Sequence, residues 1–229
     1  MNTNALKRLL LDAAMSALMI LLMAYQVMGD AAHEIAGTAV GVLFLAHAWL
    51  NRRWFATFYK GAFTPLRALQ NTMIVLVLLD TLVVMVTGVI ISGTVFSFLN
   101  ISAGIALART LHLCSSYWAL VLMSAHVGVH WSAVMGMARS VFGLPRRSGL
   151  AAWGFRALAA AVAVRGAWAF HHLQVWPFLT LQNQFAFFDD APDWLVLLNW
   201  TCVMGLFVFV SYYAGRAAQF VFTRLKERA

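Results

Sequence analysis

The sequence has 229 residues, 62% of them hydrophobic and only 10% charged, with a formal net charge of +8. Ordinary soluble domains carry about 25% charged residues, so too little polar sequence remains here to cover a soluble core, and apolar runs of about 18 residues or more put the chain in the membrane class. The basic residues lie in short connections between those runs, so membrane topology accounts for them and nucleic-acid binding is set aside.

In chain order, the pattern predicts an all-α integral membrane protein forming a single transmembrane domain over residues 1–229, with six spans at about 9–28, 33–51, 71–94, 109–133, 150–171 and 194–215. Strands are excluded because the runs are long and do not alternate. Lys7 and Arg8 precede the first run, which is longer than a signal-peptide core and lacks an A-x-A-like site, so it reads as a retained span. Asp12 follows Arg8 by four residues, the spacing of a helix-surface ion pair. Span two carries His33, Gly37, Gly41 and His47; the two glycines read as a close-packing pair. Span three holds Asp80 near its middle. A carboxylate at that depth is paired, protonated or working, with Arg165 or Arg156 as structural partners and a quinone or proton role as the functional alternative.

Span four carries Arg109, His112, His126 and His130. Beyond span five comes an aromatic connection, HLQVWPFLTLQNQFAFFDDAPD (172–193), expected to pack onto the bundle or the membrane interface. His171, His172, Trp168, Gln174 and Trp176 mark its start, as a site for a quinone or partner or as plain interfacial anchors.

The connections set orientation. Lys7, Arg8, Arg52, Arg53, Lys60, Arg67, Arg139, Arg146, Arg147, Arg156, Arg216, Arg224, Lys226 and Arg228 fall on one side, 14 of the 16 basic residues. The positive-inside rule assigns that side to the cytoplasm, with both termini there. Asp30, Glu34, Asp189, Asp190 and Asp193 fall outside.

The histidines carry the functional signal. His33 and His47 are fourteen residues apart, and so are His112 and His126. Fourteen residues make nearly four turns, so each pair shares one helix face with about 21 Å between its members. Spans two and four are separated by one span and therefore run parallel. That puts His33 and His112 near the outer surface and His47 and His126 near the inner one. Two imidazoles at each of two depths suit two stacked haems, since neutral imidazole ligates iron and the bilayer interior supplies burial. The cysteines, Cys114 and Cys202, lie in apolar runs and no CxxCH occurs, so any haem is non-covalent and b-type. His130, one turn beyond His126, is the rival inner ligand, or a quinone or propionate contact. Arg109, one turn outside His112, is a candidate partner for an outer propionate.

The stretches HEIAGTAVGVLFLAHAWLNRRWF (33–55), LHLCSSYWALVLMSAHVGVHW (111–131) and FAFFDDAPDWLVLLNWTCVMGLFVFVSYY (185–213) resemble the membrane cytochromes b of the DUF4405 family, the flavinylation-associated cytochromes. The fourteen-residue spacing also resembles the haem helices of the respiratory cytochrome b. The resemblance implies a di-haem bundle, with spans one to four enclosing the haems and five and six buttressing them. It also implies electron transfer across the cytoplasmic membrane, between the quinone pool or a cytoplasmic-side donor and an extracytoplasmic redox protein, often flavinylated. His33 and His112 would hold the outer iron, His47 and His126 the inner one. Asp80, His130 and His171 are the quinone or proton candidates. Three other readings stand: a transmembrane metalloreductase, a non-haem proton-coupled transporter, and a membrane anchor subunit of a redox complex. Membrane lipid is the one certain environment, and an oligomer or larger complex is left open.

Overall fold

The computed structural model describes residues 3–60, 64–145, 149–186 and 190–228. Arg146, Arg147 and Asp189, used above in the charge pattern, lie outside them. Among the described residues all regular structure is helical. Helix α1 spans Thr3–Met23, α2 Tyr25–Met28, α3 Asp30–Leu50, α4 Arg52–Thr57, α5 Pro65–Ile91, α6 Ile105–Val129, α7 Trp131–Phe142, α8 Leu150–His172, α9 Val175–Leu179 and α10 Asp193–Arg228.

Five of these, α3, α5, α6, α8 and α10, are long and apolar enough to cross a membrane. α1 has 21 residues, about 31 Å at 1.5 Å per residue. It carries Lys7, Arg8 and Asp12 in its first half, so every 18-residue stretch of it holds three charged side chains. The large apolar side chains left exposed, among them Leu45 at 68% and Val164 at 72%, belong to surfaces that lipid covers.

Several helix boundaries differ from the sequence expectation. The first span does not run unbroken to Met28. It stops at Ala24 (φ −89°, ψ 48°), and after α2 the chain turns at Gly29 with φ +72°, a left-handed conformation that glycine adopts without a steric penalty. α3 then returns antiparallel along α1. Span four is not continuous to residue 133 either. α6 ends at His130 (φ −98°, ψ 2°), and α7 leaves in a new direction to pack on α1. α5 opens six residues earlier than expected, where the Thr64 hydroxyl accepts from the Arg67 N–H at 3.3 Å and Pro65 takes the first turn, a position where its missing N–H costs nothing.

The core sits where α6, α8, α9 and α10 meet. Leu120, Ala169, Val175 and Val203 have no exposed surface. Tyr117 of α6 stacks on Phe178 of α9, ring centres 4.4 Å apart, and meets Trp200 of α10 edge-on at 5.8 Å. The Trp118 indole N–H donates to the Leu179 carbonyl at 3.0 Å. The aromatic connection thus does pack onto the bundle.

Helices in lipid gain little from hiding apolar surface and associate through close packing instead. Glycines supply it here. Gly166 lies against the Cys202 backbone, Gly128 against Val208 and Ser211, and Gly205 against Val162. α10 is the helix on which α6 and α8 close.

α5 packs most extensively on α6 and also meets α10. α3 packs mainly on α1 and touches α5 lightly, while α3 and α6, the two histidine helices, make no extensive backbone contact. A seam is left between them.

Candidate functional site

The structure supports the parallel arrangement of the histidine helices. α3 runs antiparallel to α5: Glu34 meets Ser92 at one end, and Gly41 faces Met85 further in. α5 in turn runs antiparallel to α6. The Gln70 amide donates to the Val129 carbonyl at 3.2 Å, and Thr87 reaches His112. Two antiparallel steps make α3 and α6 parallel.

At one end of the seam the His33 and His112 rings face each other with centres 6.4 Å apart, their planes crossed at 76°. Two imidazoles on opposite sides of one metal ion have ring centres roughly 6–6.5 Å apart, given a metal–nitrogen distance of about 2.0 Å plus the ring radii. A steep crossing is compatible with this, because both ring planes contain the axis through the metal.

His112 is held by its other nitrogen. Nδ1 lies 3.1 Å from the Val84 carbonyl and 3.2 Å from the Thr87 hydroxyl. With Nδ1–H donating to the carbonyl, Nε2 keeps its lone pair, which is how ligating histidines are oriented. Gly88 makes room for this ring, since a Cβ there would stand 3.2 Å from His112 Cε1. His33 Nδ1 is buried and has no partner. Tyr25 stands edge-on to His33 at 5.0 Å and bonds Asp30 through its hydroxyl.

Next to His33, the Glu34 carboxylate accepts four hydrogen bonds: from Ser92 Oγ at 2.7 Å and from the N–H groups of Gly93, Thr94 and Val95 at 2.9, 2.9 and 2.8 Å. This clamp ties the N-terminal end of α3 to the turn after α5. The sequence reading counted Glu34 only as an outside charge, and nothing local in the sequence signals its four donors.

At the other end, His47 Nδ1 lies 2.8 Å from Asp12 Oδ1. The expected Arg8–Asp12 pair is not what forms. Arg8 reaches across to the Leu50 carbonyl at 2.9 Å, and Asp12 takes the histidine. The antiparallel return of α3 offers both side chains a partner on the neighbouring helix. His126 and His130 adjoin each other, ring centres 4.7 Å apart, and His47 lies within electrostatic reach of both. His126 Nδ1 and His130 Nε2 are buried without partners. Orphaned imidazole nitrogens are expensive inside a membrane, and three of them border this seam.

The other expected residues are spread out. Arg109 is exposed, one turn outward from His112. Asp80 pairs with neither proposed arginine, and its Oδ2 is buried with no partner. Arg165 donates instead to Asn199 at 2.7 Å and stacks over Trp168, while Arg156 lies over Trp153. His171 is exposed at the end of α8, and His172 stacks on Trp168 at 4.6 Å. Gly37 faces Leu22 of α1, which favours the close-packing reading of the glycine pair. No group of three or more His, Cys, Asp or Glu capable of holding a metal ion occurs among the described residues.

The fold and the apolar helices define the class: this is an all-helical, multi-pass membrane protein. No protein-family model matches the chain, and neither a curated protein nor a solved structure shows significant similarity to it.

Proposed function

We propose that the chain is a di-haem b-type membrane cytochrome of six spans, α1 included, that relays electrons across the cytoplasmic membrane. The observation that carries this reading is the facing of His33 and His112 across a seam whose two helices otherwise stay apart, with His112 Nδ1 already engaged. His33 and His112 are the proposed ligands of the outer haem, His47 and His126 those of the inner. His126 is preferred to His130 because it lies within α6, in register with His112, whereas His130 sits at the helix break. Arg109 is the proposed partner of an outer propionate. When bound, the haems supply one-electron chemistry, and the chain contributes axial nitrogens, burial and nearby charge.

Its partners are the quinone pool or a cytoplasmic-side donor on one side and an extracytoplasmic redox protein, flavinylated as in the family it resembles, on the other. Asp80, His130 and His171 are the proton-handling candidates. Both termini lie in the cytoplasm on this reading, as the basic connections require.

The test is a pyridine haemochrome spectrum of the purified, quantified chain. About two b-type haems per chain are expected. A folded chain without haem absorbance would refute the proposal. One observation favours a second reading: Asp80, unpartnered in the middle of α5, suits a proton-coupled transporter, which predicts no Soret band.

A further inference from the structure

The two histidine layers differ in what holds their rings. In the inner layer His47 Nδ1 faces a carboxylate, Asp12 Oδ1, at 2.8 Å. In the outer layer His112 Nδ1 faces two neutral acceptors, the Val84 carbonyl and the Thr87 hydroxyl. Glu34 and Asp30 act on His33 through space in the outer layer, but neither bonds an imidazole nitrogen. Glu34 is satisfied by its four donors, and Asp30 takes the Tyr25 hydroxyl. On the inner side Arg8, the cation nearest Asp12 in sequence, is drawn to the Leu50 carbonyl, which leaves Asp12 to the histidine.

A carboxylate accepting from one imidazole nitrogen raises the donor strength of the other and adds negative charge close to the metal. Both effects favour the oxidised, more positive metal ion and so lower its potential. A neutral carbonyl does the same more weakly.

We infer that Asp12 is a positioning residue for His47 and sets the inner haem at a lower potential than the outer, so that electrons run downhill from the cytoplasmic side outward. This rests on the di-haem reading and adds to it a direction of flow. Asp12 touches neither haem nor substrate; it acts through the imidazole.

The experiment is a potentiometric titration of the purified holoprotein, followed by absorbance. His33→Ala identifies the wave of the outer haem by its disappearance. The remaining wave should be the lower one of the native protein. Asp12→Asn keeps an acceptor for the imidazole N–H but removes the charge. It should move the lower wave upward by about 59 mV, a tenfold change in the oxidised-to-reduced preference of a one-electron couple, and leave the upper wave in place. Asp12→Glu, which keeps the charge, should return the wave toward its native position, and it serves as the second variant if Asp12→Asn is poorly folded. A native inner wave lying above the outer one overturns the inference. So does an Asp12→Asn protein that loses haem without any shift of the wave that remains. Either result leaves the di-haem proposal standing, because only the absence of haem counts against that.

Discussion

Four imidazoles placed in apolar helices each cost free energy unless something uses them. Two are visibly oriented, His112 by Val84 and Thr87 and His47 by Asp12, while His33 and His126 keep a buried nitrogen without a partner. On the di-haem proposal, ligand deletion should separate the layers. His33→Ala or His112→Ala should halve the haem content and spare the inner site, and His47→Ala or His126→Ala should do the converse, read as haem per chain. If His130→Ala empties the inner site while His126→Ala does not, the inner ligand is His130. Asp80 makes a different residue-scale prediction. Its Oδ2 is buried among apolar neighbours with no partner, so Asp80→Asn should raise the thermal midpoint in detergent, since an isosteric amide is cheaper to bury than a carboxylate. A lowered midpoint would reveal a partner that the carboxylate needs.

Between elements, two kinds of contact hold the assembly, and each can be broken separately. Glycine seats α8 on α10. A methyl group at Gly166 would collide with the Cys202 carbonyl, whereas at Gly154, on the same helix, it would meet open space. Gly166→Ala should cost about 1–3 kcal/mol through overpacking. Gly154→Ala should be neutral or stabilising by up to about 1 kcal/mol, because alanine is the better helix former. Thermal unfolding of the two variants side by side reads the difference; equal midpoints would mean that the α8–α10 seat is not tight. The Glu34 clamp is the polar counterpart. It fixes α3, which packs lightly on α5, to the turn at Ser92–Val95. Glu34→Ala removes four hydrogen bonds, two of them from exposed N–H groups that water can satisfy, and should cost about 1–2 kcal/mol; on the di-haem proposal, haem is lost first from the His33–His112 layer.

For the whole molecule, the decisive property is direction across the membrane. The histidines of each pair stand about 21 Å apart along their helix, so on the proposed reading the two layers lie toward opposite faces of the bilayer. Chemistry confined to one face would have no use for the deeper layer. On the di-haem proposal, the chain reconstituted with its cytoplasmic face outward on sealed liposomes holding a trapped acceptor should pass electrons from a membrane-impermeant reductant outside to the acceptor within, and only when both haems are present. If both haems become reduced while the acceptor stays oxidised, and an added membrane quinone is reduced instead, the protein is a quinone-coupled subunit and not a transmembrane wire.

The sequence by itself determined the class, the helical content, an aromatic connection that folds down on the bundle or the membrane interface, and the parallel run of the two histidine helices. All four follow from one-dimensional quantities: run length, apolar content, charge placement and a fourteen-residue period. It misjudged what depends on neighbours distant in the chain. Asp12 looked like the mate of Arg8 because they are one turn apart, yet the antiparallel return of α3 brings His47 to Asp12 and Leu50 to Arg8. Glu34 looked like a loose outer charge because its four donors lie about sixty residues away. The last span looked peripheral because glycine contacts between helices leave no periodic trace, although α10 proved to be the helix on which α6 and α8 close. Tertiary structure alone decided these points. A helix face can be read from its own residues, but the group that meets it is set by how separate helices pack.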